Sequence, residues 1–135
     1  MFAIMTISRS LEDGFMIYTV TGAVHVEDIV HSAIASMDSD SLINSLWDLT
    51  HATDENLRTE SLEKLAHDLA VHFVDKRSVK VALVGFRNVN LGLGKLFRAF
   101  VEMIGLPFEL EIFRNKTRAI EWLTNGCYKT TSPSE

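Results

Sequence analysis

The chain has 135 residues, 47% of them apolar and 23% charged, which fits one globular domain and excludes a disordered or collagen-like chain. Thirteen Lys and Arg against 18 Asp and Glu leave a formal charge of −5, so the surplus cation that a general nucleic-acid binder uses to displace counterions is missing. The single cysteine, Cys127, excludes an internal disulfide and an all-cysteine metal site.

Phe2 to Ile7 reads as a first strand and Phe15 to Thr21 as a second, with Gly22 ending it. The linker Ser10-Leu11-Glu12-Asp13-Gly14 holds Asp-Gly, a favoured hairpin turn, so the two strands are expected to pair antiparallel. Val26, Ile29, Val30, Ala33, Ile34 and Met37 then recur at helical spacing, with Glu27 and Asp28 in the first turn and Asp38-Ser39-Asp40 as the break. Leu42 to Leu49 reads as a third strand, followed by a polar loop from Thr50 to Asn56. A second helix covers about Thr59 to Asp75, buries Leu62, Leu65, Ala66, Leu69 and Phe73, and takes Thr59 or Ser61 as its cap.

Lys80 to Phe86 is a run of strand formers suited to a central strand buried on both faces. The third helix carries the stripe Leu93, Leu96, Phe97, Phe100, Val101 and Ile104, with Gly105 and Pro107 as stop signals. Phe108 to Phe113 (FELEIF) alternates apolar and acidic residues, as an edge strand with one wet face does. A short last helix, Lys116 to Thr124, is capped by Asn115 and packs Ala119, Ile120, Trp122 and Leu123. The order β-β-α-β-α-β-α-β-α predicts an α/β domain over 1–125, with about five strands in a mixed, mostly parallel sheet and four helices. Residues 126–135 read as a flexible tail.

No secretory signal is read at the start, and the longest uncharged stretch, Gly14 to Val26, is shorter than the ~20 residues of a membrane helix. A cytoplasmic protein is therefore expected. Charge is unevenly placed: residues 1–50 hold Arg9 against seven acids, whereas Lys76, Arg77, Lys80, Arg87, Lys95 and Arg98 lie in a stretch without any acid. That stretch is either the solvated ends of a strand and a helix or an electropositive patch.

The segment from Gly85 to Lys95 follows a buried strand and opens a helix, but it is no Walker loop. Arg87, Asn88, Asn90, Gly92, Gly94, Lys95 and Arg98 form a candidate site for an anion or head group, using the free N–H groups of the helix start. The plainer reading is that the glycines let the helix pack closely. Trp47, Phe86, Phe97 and Phe100 are candidate walls of an apolar pocket, or simply core. His25, His31, His51, His67 and His72 lack metal-binding spacing, and Asp68 and His72 are expected to pair on the surface. Asp48 ends a strand beside Trp47, and is either a general base or an acceptor for the N–H groups that follow it. Catalytic residues, metal and cofactor are all expected to be absent.

Several strings resemble the STAS superfamily, and within it the SpoIIAA-like group. They are Thr21-Gly22 ahead of the helix with Glu27-Asp28, then Leu46-Trp47-Asp48, then Val81 to Gly85, and finally Glu111-Ile112-Phe113 followed by Ala119 to Leu123. The resemblance implies a sheet with helices layered on one side and a role without catalysis, as a switch, scaffold or ligand sensor. A lipid-like ligand follows by analogy with the CRAL-TRIO lipid carriers. Some members of the wider family are anti-sigma-factor antagonists phosphorylated in the loop after the third strand. Here that loop, Asp48 to Asp54, lacks their Asp-Ser-Ser-Gly-like string; Thr50 and Thr53 are nearby hydroxyls, and no phosphosite is carried over. His25 stands where the group has a small polar cap. The expected role is a regulatory or ligand-binding module for a small anionic or lipid-like ligand. The alternative is a homodimer or protein-interaction scaffold, built through the FELEIF strand or a helix face.

Overall fold

The computed structural model describes residues 5–12, 14–37, 44–73, 79–85, 91–106 and 108–125. Strands β1 (Thr6–Glu12) and β2 (Phe15–Ala23) form the expected antiparallel hairpin, with Glu12 opposite Phe15. β1 therefore runs five residues further than its apolar start predicted, and pairs with β2 as far as Glu12 opposite Phe15. β2 likewise continues through Gly22 to Ala23.

The remaining elements are α1 (Val26–Met37), β3 (Ser45–Thr53), α2 (Thr59–Phe73), β4 (Val79–Val84), α3 (Leu91–Ile104), β5 (Phe108–Phe113) and α4 (Lys116–Asn125). The sheet order is β1-β2-β3-β4-β5, with β2 through β5 parallel. Each crossover steps to the next strand in one direction, so right-handed connections put α1, α2 and α3 on a single face. One cluster joins Val30, Leu65, Leu69, Phe97 and Val101 of these helices to Leu110 of β5 and Val81 and Leu83 of β4. A second centres on Tyr18 and Trp47, whose rings stack across the strand pair at 4.0 Å and 13°.

α4 departs from the one-sided layering. Ala119 and Leu123 pack with Phe15, Ile17, Leu46, Ala82 and Val84 on the opposite face. Alternation along β4 explains why both faces need cover: Val81 and Leu83 serve one side, Ala82 and Val84 the other.

Helix ends follow their local chemistry. Ser61 accepts the Arg58 N–H at 3.2 Å, which makes Arg58 rather than Thr59 or Ser61 the N-cap of α2. Asn115 Oδ1 accepts the Arg118 N–H at 3.1 Å and caps α4 as expected. Gly105 ends α3, and the Leu106 N–H returns to the Val101 carbonyl at 3.1 Å. Asn44 ties three strands together at the start of β3: its carbonyl accepts from Met16 and its side chain from the Lys80 N–H.

Candidate functional site

Ligands of parallel α/β sheets gather beyond the C-terminal strand ends, and here that edge is organised by Asp48. Its Oδ1 accepts the Thr50 N–H at 3.0 Å and the Thr50 hydroxyl at 2.6 Å. The Thr50 N–H thus bonds within its own strand, and the register shifts. Thr19 faces Asp48 but Thr21 faces His51, so Leu49 and Thr50 together oppose Val20. After this bulge β3 resumes pairing, and Ala52 opposite Gly22 is fully buried in the Tyr18–Trp47 cluster. The polar loop expected at Thr50 to Asn56 is therefore strand as far as Thr53. Thr50 and Thr53 lie in the sheet, not in a loop at the start of α2.

Gly85 sits directly behind the bulge. Its N–H bonds the Phe113 carbonyl at 3.3 Å, and a Cβ there would lie 2.8 Å from the Thr50 nitrogen. Lys116, the first residue of α4, brings Nζ to 4.0 Å from Asp48 Oδ2. Asp48 thus accepts the N–H that follows it and shapes the strand end, with Lys116 beside its other oxygen.

Of the candidate anion site, Arg87, Asn88 and Asn90 lie outside the described residues, as does Phe86. Gly92, Gly94, Lys95 and Arg98 all sit on α3. Gly94 is buried, as close helix packing requires, while Gly92 and Lys95 are exposed. Arg98 is ion-paired with Glu102 at 3.6 Å and with Glu111 at 3.5 Å. The basic stretch is divided further by the sheet. Lys80 lies on the α4 face, 5.0 Å from the centre of the Trp122 ring, well apart from Lys95. Lys76, Arg77 and Arg87 lie outside the described residues, and of the described bases Lys80 is on the other face of the sheet from Lys95 and Arg98.

The candidate apolar walls also separate. Trp47 stacks on Tyr18 and donates Nε1–H to the Ser45 hydroxyl at 3.1 Å. Phe97 is buried, and Phe100 half-buried, in the cluster of α1, α2 and α3. Val81 and Leu83 touch both groups, so Trp47 and the two phenylalanines occupy adjoining compartments of one core. His25 holds α1 through its carbonyl, which accepts from Asp28 and Ile29, while its ring meets Asn56 at 3.4 Å. Asp68 pairs with Lys64 at 3.0 Å. Among the described residues no group of His, Cys, Asp and Glu is placed to hold a metal.

One basic cluster escaped the sequence reading. Arg114, Lys116 and Arg118 are all exposed at the start of α4, which has no acid in its first turn. Cations at a helix N-terminus oppose the helix dipole. The string RNKTR carries that signal without any knowledge of the fold.

No family model matches the chain, and no curated protein matches it significantly. Among solved structures it is similar to an uncharacterised protein of the DUF3478 family from Shewanella loihica PV-4, described as having a SpoIIAA-like fold. The two chains are 20% identical with a TM-score of 0.53, over 90% of this chain and 94% of the other. The chain therefore has the SpoIIAA-like fold.

Proposed function

We propose that the chain is a non-catalytic regulatory or ligand-binding module that takes a small anionic or amphipathic ligand where α3 begins. The observation that carries this reading is the start of α3. It opens beyond the C-terminal end of β4, has no acid in its first turn, and shows Lys95 to solvent. The positive dipole end of the helix favours a negative group there. The module reading, with no chemistry, is supported by Asp48, whose carboxylate is held by Thr50 and near Lys116. A cytoplasmic location is part of this proposal, and a chain whose lone cysteine forms no internal disulfide is compatible with that reducing compartment. No helix among the described residues is long and apolar enough to cross a membrane.

Native mass spectrometry of freshly purified protein, with no ligand-stripping step, tests the reading. A bound mass that leaves on denaturation supports it, and the mass itself separates a lipid from a phosphate-type anion. A clean ligand-free spectrum overturns it in favour of a protein–protein switch.

A further inference from the structure

The two edges of the sheet are built differently. At β5, Glu109 is exposed and Glu111 lies on the same side of the strand, with Arg98 reaching Glu111. Charges of this kind guard an edge against further pairing. Self-pairing of β5 about Leu110 would also set Glu109 against Glu111 of the second copy, a like-charge contact. At the opposite edge, β1 is exposed at six of its seven residues and pairs with β2 on one side. Its charges are Arg9 and the terminal Glu12; the rest are Thr6, Ile7, Ser8, Ser10 and Leu11.

We infer that β1 pairs antiparallel with β1 of a second copy of this chain, about a two-fold axis at Ser8. The register follows from symmetry. An axis normal to the sheet keeps every residue on its own face, so each pair must join positions of the same parity. Backbone direction sets the same condition. Glu12 and Phe15 close the hairpin, so Glu12 and every second residue before it turn their N–H and C=O toward β2. Met5, Ile7, Arg9 and Leu11 turn theirs outward, to the edge on which no strand pairs among the described residues.

Centred on Ser8, the pairs are Ser8 with Ser8, Ile7 with Arg9, Thr6 with Ser10, and Met5 with Leu11. Centring on Arg9 instead opposes two guanidinium groups, and centring on Ser10 leaves Ile7 and Thr6 unmatched. The Ser8 register pairs the strand from Thr6 to Leu11 without opposing like charges. It also gives Leu11 a partner. Leu11 is 65% exposed, on the same face as Ile7 and Met5, which belong to the Tyr18–Trp47 cluster. Across the axis it meets Met5 of the second copy, and the two apolar clusters become continuous.

An edge contact of this length is small among specific interfaces, so self-association is expected in the micromolar range. Sedimentation velocity across that range tests it on the full chain. Ser8→Glu sets two carboxylates face to face at the axis and is expected to weaken the dimer by about tenfold. Ser8 is exposed, so the circular dichroism spectrum and the thermal midpoint of the dilute monomer are expected to stay unchanged. A second arm uses Ser8→Cys and Ser10→Cys, each in a Cys127→Ser background. Across a non-hydrogen-bonded antiparallel pair the Cα atoms stand about 4.5 Å apart, within disulfide range. Ser8→Cys is therefore expected to cross-link on mild oxidation, and faster than Ser10→Cys. Monomer at every concentration overturns the inference. So does a dimer indifferent to Ser8→Glu whose Ser8→Cys form cross-links no faster than the Ser10→Cys form. Neither result depends on whether a ligand is found at α3.

Discussion

The carboxylate of Asp48 turns back on Thr50, two residues along its own strand, and accepts both its N–H at 3.0 Å and its hydroxyl at 2.6 Å. This contact gives the Thr50 N–H a partner where the ladder to β2 is interrupted. Asp48→Ala leaves that part-buried N–H without its acceptor, and a loss of about 1–3 kcal/mol is expected. Asp48→Asn keeps an oxygen in reach and is expected to lose less than about half as much. Urea denaturation of the two variants checks the order. Equal losses would mean that packing, and not the oxygen, holds the bulge.

Gly85 and Gly14 separate backbone strain from crowding. Both have positive φ, +87° and +86°. Around Gly14 a Cβ meets nothing within 4 Å, whereas at Gly85 it meets the Thr50 nitrogen at 2.8 Å and Cα at 2.9 Å. Gly14→Ala is expected to cost about 1 kcal/mol from its conformation alone. Gly85→Ala adds a clash with backbone that cannot step aside, and is expected to cost about 3 kcal/mol or more. Thermal midpoints of the two variants give the comparison directly.

These two positions also mark where the sequence was hard to read. The helices were legible because their apolar stripes keep a period near 3.6; Leu93, Leu96, Phe97, Phe100, Val101 and Ile104 all pack in the cluster that the spacing foretold. β3 was legible only as far as Leu49, because the extra residue Thr50 breaks the two-residue period and resets it at Ala52. The HATDEN string then reads as loop on composition alone. Polar β1 residues misled in the same way: a strand wet on nearly its whole length lacks the apolar alternation that would announce it. At the candidate site, proximity in sequence overstated proximity in space. Lys80 and Lys95 fall in one acid-free stretch but on opposite faces of the sheet, and the acids that answer Arg98 come from outside that stretch, Glu102 one turn on and Glu111 on β5.

That arrangement predicts different results for two charge reversals that sequence alone would treat as equivalent. Lys95→Glu alters an exposed group at the open end of α3, so stability is expected to change by less than about 0.5 kcal/mol, with loss of any co-purifying anionic ligand. Arg98→Glu places a third carboxylate beside Glu102 and Glu111 and is expected to destabilise by up to about 1 kcal/mol. The loss should shrink as salt is raised, since all three groups are substantially exposed. Denaturation at low and high ionic strength, alongside native mass spectra of both variants, separates the effects. A ligand lost from Arg98→Glu and retained in Lys95→Glu would move the site away from the start of α3.

Asn115 controls the cover of the α4 face. Its side chain caps the helix whose Ala119 and Leu123 bury Phe15, Leu46 and Val84. Removing the cap in Asn115→Ala is expected to cost about 1 kcal/mol, seen also as faster amide exchange in the first turn of α4. Asn115→Asp behaves in the opposite sense. Arg114, Lys116 and Arg118 surround the position, and the helix N-terminus adds partial positive charge, so a carboxylate is favoured on both counts. It keeps the bond to the Arg118 N–H and is expected to add a few tenths of a kcal/mol at low salt. That gain disappears as salt screens the cluster. Thermal midpoints across a salt series decide it: a stabilisation that ignored salt would mean that the cap acts through its hydrogen bond and not through the basic cluster around it.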